Sequence, residues 1–201
     1  APEGGGLVCT GDSLKGDRGL QMAADGAVDG REGLLARNLS RGVARLTGDN
    51  GFFMMTEGGR IDVACHYHDA GGMYREMLDL DQAGRVAVDF YNAHPGETLI
   101  LVTADHETGD LQLSGGTPAA LSKQAVSCDR FDEVNVPAFR KSKTAFQDAL
   151  PEIAAAFGLD DLTEEETAYL RAAYGHTISD DLSGKELVKQ YGYYEAVTSA
   201  A

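Results

Sequence analysis

The sequence predicts an α/β chain, a mostly parallel sheet flanked by helices. Three observations point there. Phe52-Phe53-Met54-Met55-Thr56 and Thr98 through Thr103 are short apolar runs of strand length, the pattern of strands buried on both faces. Helical periodicity precedes each run, which gives the order helix–strand–helix–strand. Each run ends in loop-like sequence carrying carboxylates and imidazoles, and ligands of parallel sheets collect at the carboxyl ends of strands.

Taken in order, residues 1–30 are rich in Gly and Asp and read as loop with short elements. Leu34, Leu35, Leu39, Val43 and Leu46 recur at helical spacing and predict an amphipathic helix from Glu32 to Leu46. Gly48-Asp49-Asn50-Gly51 breaks the chain before the first apolar run. A long helix is expected from about Ala64 or Gly72 to Tyr91, with Met73, Met77, Leu80, Val86, Val88 and Phe90 inward, stopped by His94-Pro95-Gly96. The second run follows. Ser114-Gly115-Gly116-Thr117-Pro118 is a loop and residues 119–150 are mixed. Residues 151–174 predict helix, with Thr163 as N-cap and Glu164 to Glu166 favourable to the dipole in the first turn. Residues 114–201 are expected to lie beside the sheet within a single partial domain spanning 1–201, whose metal-motif core covers about 48–113.

Composition narrows the function. The chain has 201 residues, enough for one domain or a large part of one. Its 17 basic and 32 acidic residues give a net charge of −15, which argues against non-specific binding to nucleic acid or anionic membrane. Bound divalent cations would invert the local field, so an anionic substrate is not excluded. No apolar run approaches the roughly 20 residues of a membrane span. The start Ala1-Pro2-Glu3-Gly4-Gly5-Gly6 reads as a processed or cut end. Cys9, Cys65 and Cys128 lack CxxC spacing and allow at most one disulfide within the chain.

The chemistry-bearing residues fall in two segments. In the first, Glu57 precedes two glycines, and Asp62 and His66 stand four apart. A helix starting near Ile61 puts both on one face, within reach of one metal, and an oxygen with a nitrogen donor suits zinc. Glu57 is a hard carboxylate suited to magnesium. Arg60 is either a phosphate contact or a surface ion pair. His68, two past His66, points elsewhere on a helix and is at most a supporting residue. In the second segment Asp105 and His106 are adjacent, and neighbours share one site only where the backbone turns off a strand. Thr108-Gly109 fits such a turn.

With these residues in hand, the chain resembles the alkaline phosphatases. The run from Phe52 to Asp62 with Cys65-His66 and Asp69-Ala70 is similar to that family's metal-binding segment. Asp89-Phe90-Tyr91, His94-Pro95 and Thr98 through Gly109 are similar to its next strand and second metal-binding turn. The resemblance implies a partial three-layer sandwich and a phosphate monoester hydrolase with two zinc ions, one magnesium and a phosphoserine mechanism. Asp62 and His66 would bind the first zinc, Asp105 and His106 the second, and Glu57 the magnesium. It also implies periplasmic or extracellular location and small phosphate monoesters as substrates.

The departures are equally specific. Asp12-Ser13 is the one Asp-Ser pair, but its surroundings do not resemble the nucleophile segment, so Ser13 is not assigned that role. His176-Thr177 is followed by Ile178 where the family's late zinc histidine has glycine, and Gln190-Tyr191-Gly192-Tyr193-Tyr194 resembles sequence that comes before that histidine. The expectation is therefore a fragment of a longer phosphatase, inactive alone. Uncovered sheet edges would favour a homodimer or other self-association. The alternatives are a non-catalytic metal-binding or interaction domain, or a phosphodiesterase or phosphomutase of the same superfamily.

Overall fold

A computed structural model describes residues 22–26, 32–113 and 117–179 of the chain. Among these residues the architecture is helical: a 3-10 turn at Ala23–Asp25, then α1 (Leu34–Leu46), α2 (Arg60–His66), α3 (Ala70–Ala93), α4 (Pro118–Leu121), α5 (Cys128–Ser142), α6 (Phe146–Phe157) and α7 (Glu164–Ser179). The predicted parallel sheet is not found, and neither apolar run forms a strand.

The physical reason lies in what the pattern reports. Apolar runs state a tendency to be buried, whereas a strand exists only if a neighbour completes its lateral hydrogen bonds. Among the described residues neither run has such a neighbour. The first run keeps a strand-like alternation all the same. Phe52 packs edge-on against Phe90 of α3, with ring centroids 5.5 Å apart, and the Met54 methyl sits over Gly42 of α1. Phe53 between them is 89% exposed. In the second run Leu101 and Val102 are 81% and 87% exposed.

The helices follow the sequence more closely. α1 begins two residues inside the expected range, ends at Leu46, and lies along α3. The long helix is interrupted: α2 ends at His66, His68 adopts φ +52°, and Asp69 caps α3 by accepting from the Gly72 N–H at 2.8 Å. α3 stops at the expected His94. Its buried positions are Ala70, Gly71, Gly72, Glu76 and Ala83, while Met77 and Val88, expected inward, are 46% and 49% exposed.

The main hydrophobic cluster lies further along the chain. Phe131, Phe139, Phe146, Ile153, Phe157, Leu170 and Tyr174 join α5, α6 and α7. Phe131 and Phe157 meet edge to face at 4.9 Å. The expected helix over 151–174 is two helices, parted at Gly158 with φ +67°. α7 starts as the sequence says. Thr163 Oγ1 accepts from the Glu166 N–H at 3.2 Å, and the Glu166 carboxylate accepts from the Thr163 N–H at 2.7 Å.

Buried polar groups tie this cluster to α3. The Asp69 carboxylate is 1% exposed and also accepts from Gln124 Nε2 at 2.6 Å and from the Cys128 N–H at 2.8 Å. Asp25 accepts from the N–H and the hydroxyl of Ser127, at 2.8 and 2.7 Å. Arg60 donates to Asp129 at 3.1 Å with its side chain only 11% exposed. Of its two sequence readings the ion pair holds, and it is nearly buried.

Burial pushes the Glu76 carboxyl up to about 7 from its ordinary 4.5. The Ala23 N–H and Arg60 oppose that shift, and Asp79 and Asp25 add to it. An acid whose folded pKa is raised keeps its proton in the native state while the unfolded chain releases it. Its contribution is therefore complete below pH 4.5 and is lost as pH rises through 7. Asp25 and Asp69 are raised by burial in the same direction. The unfolding free energy is expected to be greater at pH 5 than at pH 8, with about 3 kcal/mol of the difference due to Glu76. Urea unfolding at both pH values checks this. Glu76→Gln should flatten the dependence, and an unchanged slope would remove Glu76 as its source.

Candidate metal centre

The two sequence motifs meet at the end of α2. Asp62 and His66 stand one helical turn apart on α2, with Asp62 Oδ1 3.7 Å from His66 Nε2. Both side chains are about half exposed. The second motif lies on the loop after the second apolar run. There His106 Nε2 is 3.4 Å from Asp105 Oδ2, and the His106 N–H donates to Asp105 Oδ1 at 3.1 Å.

Thr108 joins the pairs. Its hydroxyl donates to Asp62 Oδ1 at 2.9 Å, and its Oγ1 is 3.4 Å from His106 Nδ1. Sequence reasoning saw Thr108 only as part of a turn and missed this bridge. Gly109, with φ +69°, lets the loop touch α2 directly: a Cβ there would stand 2.6 Å from the Cys65 carbonyl oxygen and 2.8 Å from the His66 Cα. The loop is thus seated on backbone.

The electrostatics favour a cation at this surface. The Glu107 carbonyl, which accepts from His106 Nδ1 at 2.9 Å, raises the His106 pKa above its ordinary 6.5, and Asp105 adds to the effect. In the neutral ring a donating Nδ1 leaves Nε2 unprotonated, the tautomer common in metal-binding histidines. Burial raises the Cys65 thiol, with Asp62 and Glu107 contributing, so the thiol stays protonated at neutral pH. Cys65 and Cys128 are both free thiols; Cys9 lies outside the described residues.

The remaining candidates sit apart from this pairing or beyond description. Glu57 is exposed just ahead of α2, its carboxylate turned back over Gly59. His68 is outside the helix, and its Nε2 lies 2.8 Å from the Gly109 carbonyl oxygen. His94 stacks on Phe90, with ring centroids 4.4 Å apart, and ends α3. His176 is exposed on α7, which packs on α5 and α6. Ser13 and the segment Gln190–Tyr194 lie outside the described residues.

Among the described residues no three His, Cys, Asp or Glu side chains converge on one point. The arrangement is two pairs, each of one carboxylate and one imidazole. That donor chemistry fits zinc, and each pair would supply two of the roughly four ligands zinc takes. No described helix is long and apolar enough to cross a membrane.

Comparison with known proteins places this sequence in a family. A sequence model of the family described as Alkaline phosphatase matches residues 34–191. The chain is similar to the repressible alkaline phosphatase of Saccharomyces cerevisiae, 45% identical over 65 residues, which is 32% of this chain and 12% of that protein. Alkaline phosphatase 4 of Bacillus subtilis is 28% identical over 123 residues, 61% of this chain and 26% of that protein. Streptomycin-6-phosphate phosphatase of Streptomyces griseus is 38% identical over 78 residues, 38% of this chain and 17% of that protein. The chain therefore spans a quarter or less of the length of most of these relatives, and 26% at most. No solved structure matches it. The family match takes in both metal-type pairs and the Thr108 bridge between them, and the chain belongs to the alkaline phosphatase family.

Proposed function

We propose that this chain supplies ligands to the metal centre of a phosphate monoester hydrolase. The observation that carries the reading is the Thr108–Asp62 hydrogen bond, which joins two ligand pairs from segments 46 residues apart in a chain of this family. Asp62 with His66 would hold one zinc, Asp105 with His106 the other, and Glu57 the magnesium. Bound there, the metals would neutralise phosphate charge and activate an oxygen nucleophile. The chain's own part is positioning. Thr108 holds Asp62 in place, the Glu107 carbonyl fixes the His106 ring, and Gly109 sets the loop against α2. Phosphoryl transfer depends chiefly on such positioning and charge neutralisation.

Small phosphate monoesters are the proposed substrates, and a relative named for streptomycin-6-phosphate supports that class. A periplasmic or extracellular setting accompanies the reading. No nucleophile is assigned within the described residues, so the 201-residue chain alone is expected to hydrolyse 4-nitrophenyl phosphate at background rate even with zinc and magnesium. The product of the whole native reading frame should hydrolyse it in preference to bis(4-nitrophenyl) phosphate. Preference for the diester would move the reading to a phosphodiesterase. Strong zinc-dependent turnover by the 201 residues would return attention to Ser13.

A further inference from the structure

The loop bearing Asp105 and His106 touches α2 at the Thr108–Asp62 bond and at the Gly109 backbone. A third contact comes from outside both motifs. His68 lies in the turn between α2 and α3, at φ +52°, a left-handed conformation that histidine and asparagine adopt more readily than most residues. In that conformation its imidazole reaches the loop. Nε2 lies 2.8 Å from the Gly109 carbonyl oxygen in a half-buried setting. A carbonyl only accepts, so Nε2 carries the proton and donates.

We propose that His68 is a positioning residue, whose Nε2–H to Gly109 bond fixes the Asp105–His106 turn beside Asp62 and His66. The inference rests on the reading of those pairs as metal ligands for its functional meaning, but the bond itself is testable without metal. Gly109 is three residues past His106 in a loop that is otherwise exposed at Asp105, His106 and Glu107. A loop so exposed samples other positions unless its far end is held firmly, and the His68 bond adds to the Thr108–Asp62 and Gly109 contacts there. His68 does so without occupying a coordination position.

The experiment is millisecond hydrogen exchange on the metal-free 201-residue chain, read at the amides of residues 105–110. His68→Asn suits the left-handed backbone, but its amide is too short to reach Gly109, so it removes the bond without adding strain. His68→Gln restores a donor at nearly the same reach. His68→Asn should speed exchange about threefold to tenfold, the worth of one hydrogen bond, and His68→Gln should bring it back toward wild type. Unchanged exchange in His68→Asn, or equal acceleration in both variants, would overturn the proposal. Calorimetric zinc titration of the wild-type chain separates the two readings. Absence of zinc binding would count against the metal reading and leave the exchange result to decide His68. If zinc binds, His68→Asn should weaken one of two binding events about tenfold or more and spare the other.

Discussion

Replacing Asp69 with alanine is expected to lower the unfolding free energy by about 4 kcal/mol. The carboxylate is 1% exposed and accepts from the Gly72 N–H, Gln124 Nε2 and the Cys128 N–H. Alanine leaves the Gly72 and Cys128 N–H groups without that acceptor and Gln124 Nε2 with the Val126 carbonyl alone, and each orphan costs about 1–3 kcal/mol, reduced where water can enter. Two helix starts are affected at once: α3 loses its cap, because Gly72 lies in its first turn, and α5 loses the acceptor of its first N–H, at Cys128, while Ser127 still caps it through the Arg130 N–H. Urea unfolding followed by circular dichroism checks the size of the effect. Asp69→Asn keeps one acceptor oxygen and should cost about half as much. A loss below about 1 kcal/mol for alanine would mean that the network is not closed in solution.

The Asp62→Ala/His106→Ala double variant is expected to lose zinc affinity by at least about a thousandfold, which calorimetry would read as no binding. Each substitution removes half the protein donors of one pair, so neither pair can compensate for the other. Both side chains are substantially exposed, so the fold should persist and circular dichroism should match wild type. That contrast separates loss of ligands from loss of structure. Zinc binding retained at wild-type strength would place the metal elsewhere and withdraw Asp62 and His106 as ligands.

The two largest effects fall on residues of very different legibility. Asp62, His66, Asp105 and His106 were nominated by sequence because metal chemistry restricts residue type and a helix restricts spacing. Asp69 had no such signature. Its role depends on Gln124 and Cys128, which are 55 and 59 residues away in sequence. Thr108 and His68 belong with Asp69. A hydroxyl or an imidazole in a turn has many uses, and only the seating of Gly109 on the end of α2 selects one.

Local rules served the helices well. The periodicity of α1, the capping box of α7 and the stop at His94 are decided within a few residues of chain, where sequence is complete information. They failed where the outcome depended on a distant neighbour. The break between α2 and α3 needed the left-handed turn at His68, and the inward face of α3 is small and polar where the Gln124 side chain lies against Gly71 and the Ala23 N–H donates to Glu76.

The sequence alone therefore determined the family and several helix ends, and it nominated the two carboxylate–imidazole pairs, all of which rest on residue type and short spacing. Tertiary structure decided three other things: that the apolar runs stay unpaired among the described residues, that the two pairs share the end of α2, and that buried carboxylates join α3 to α5. Each depends on which segment lies beside which, and hydrogen-bond partners distant in sequence leave no local pattern to read.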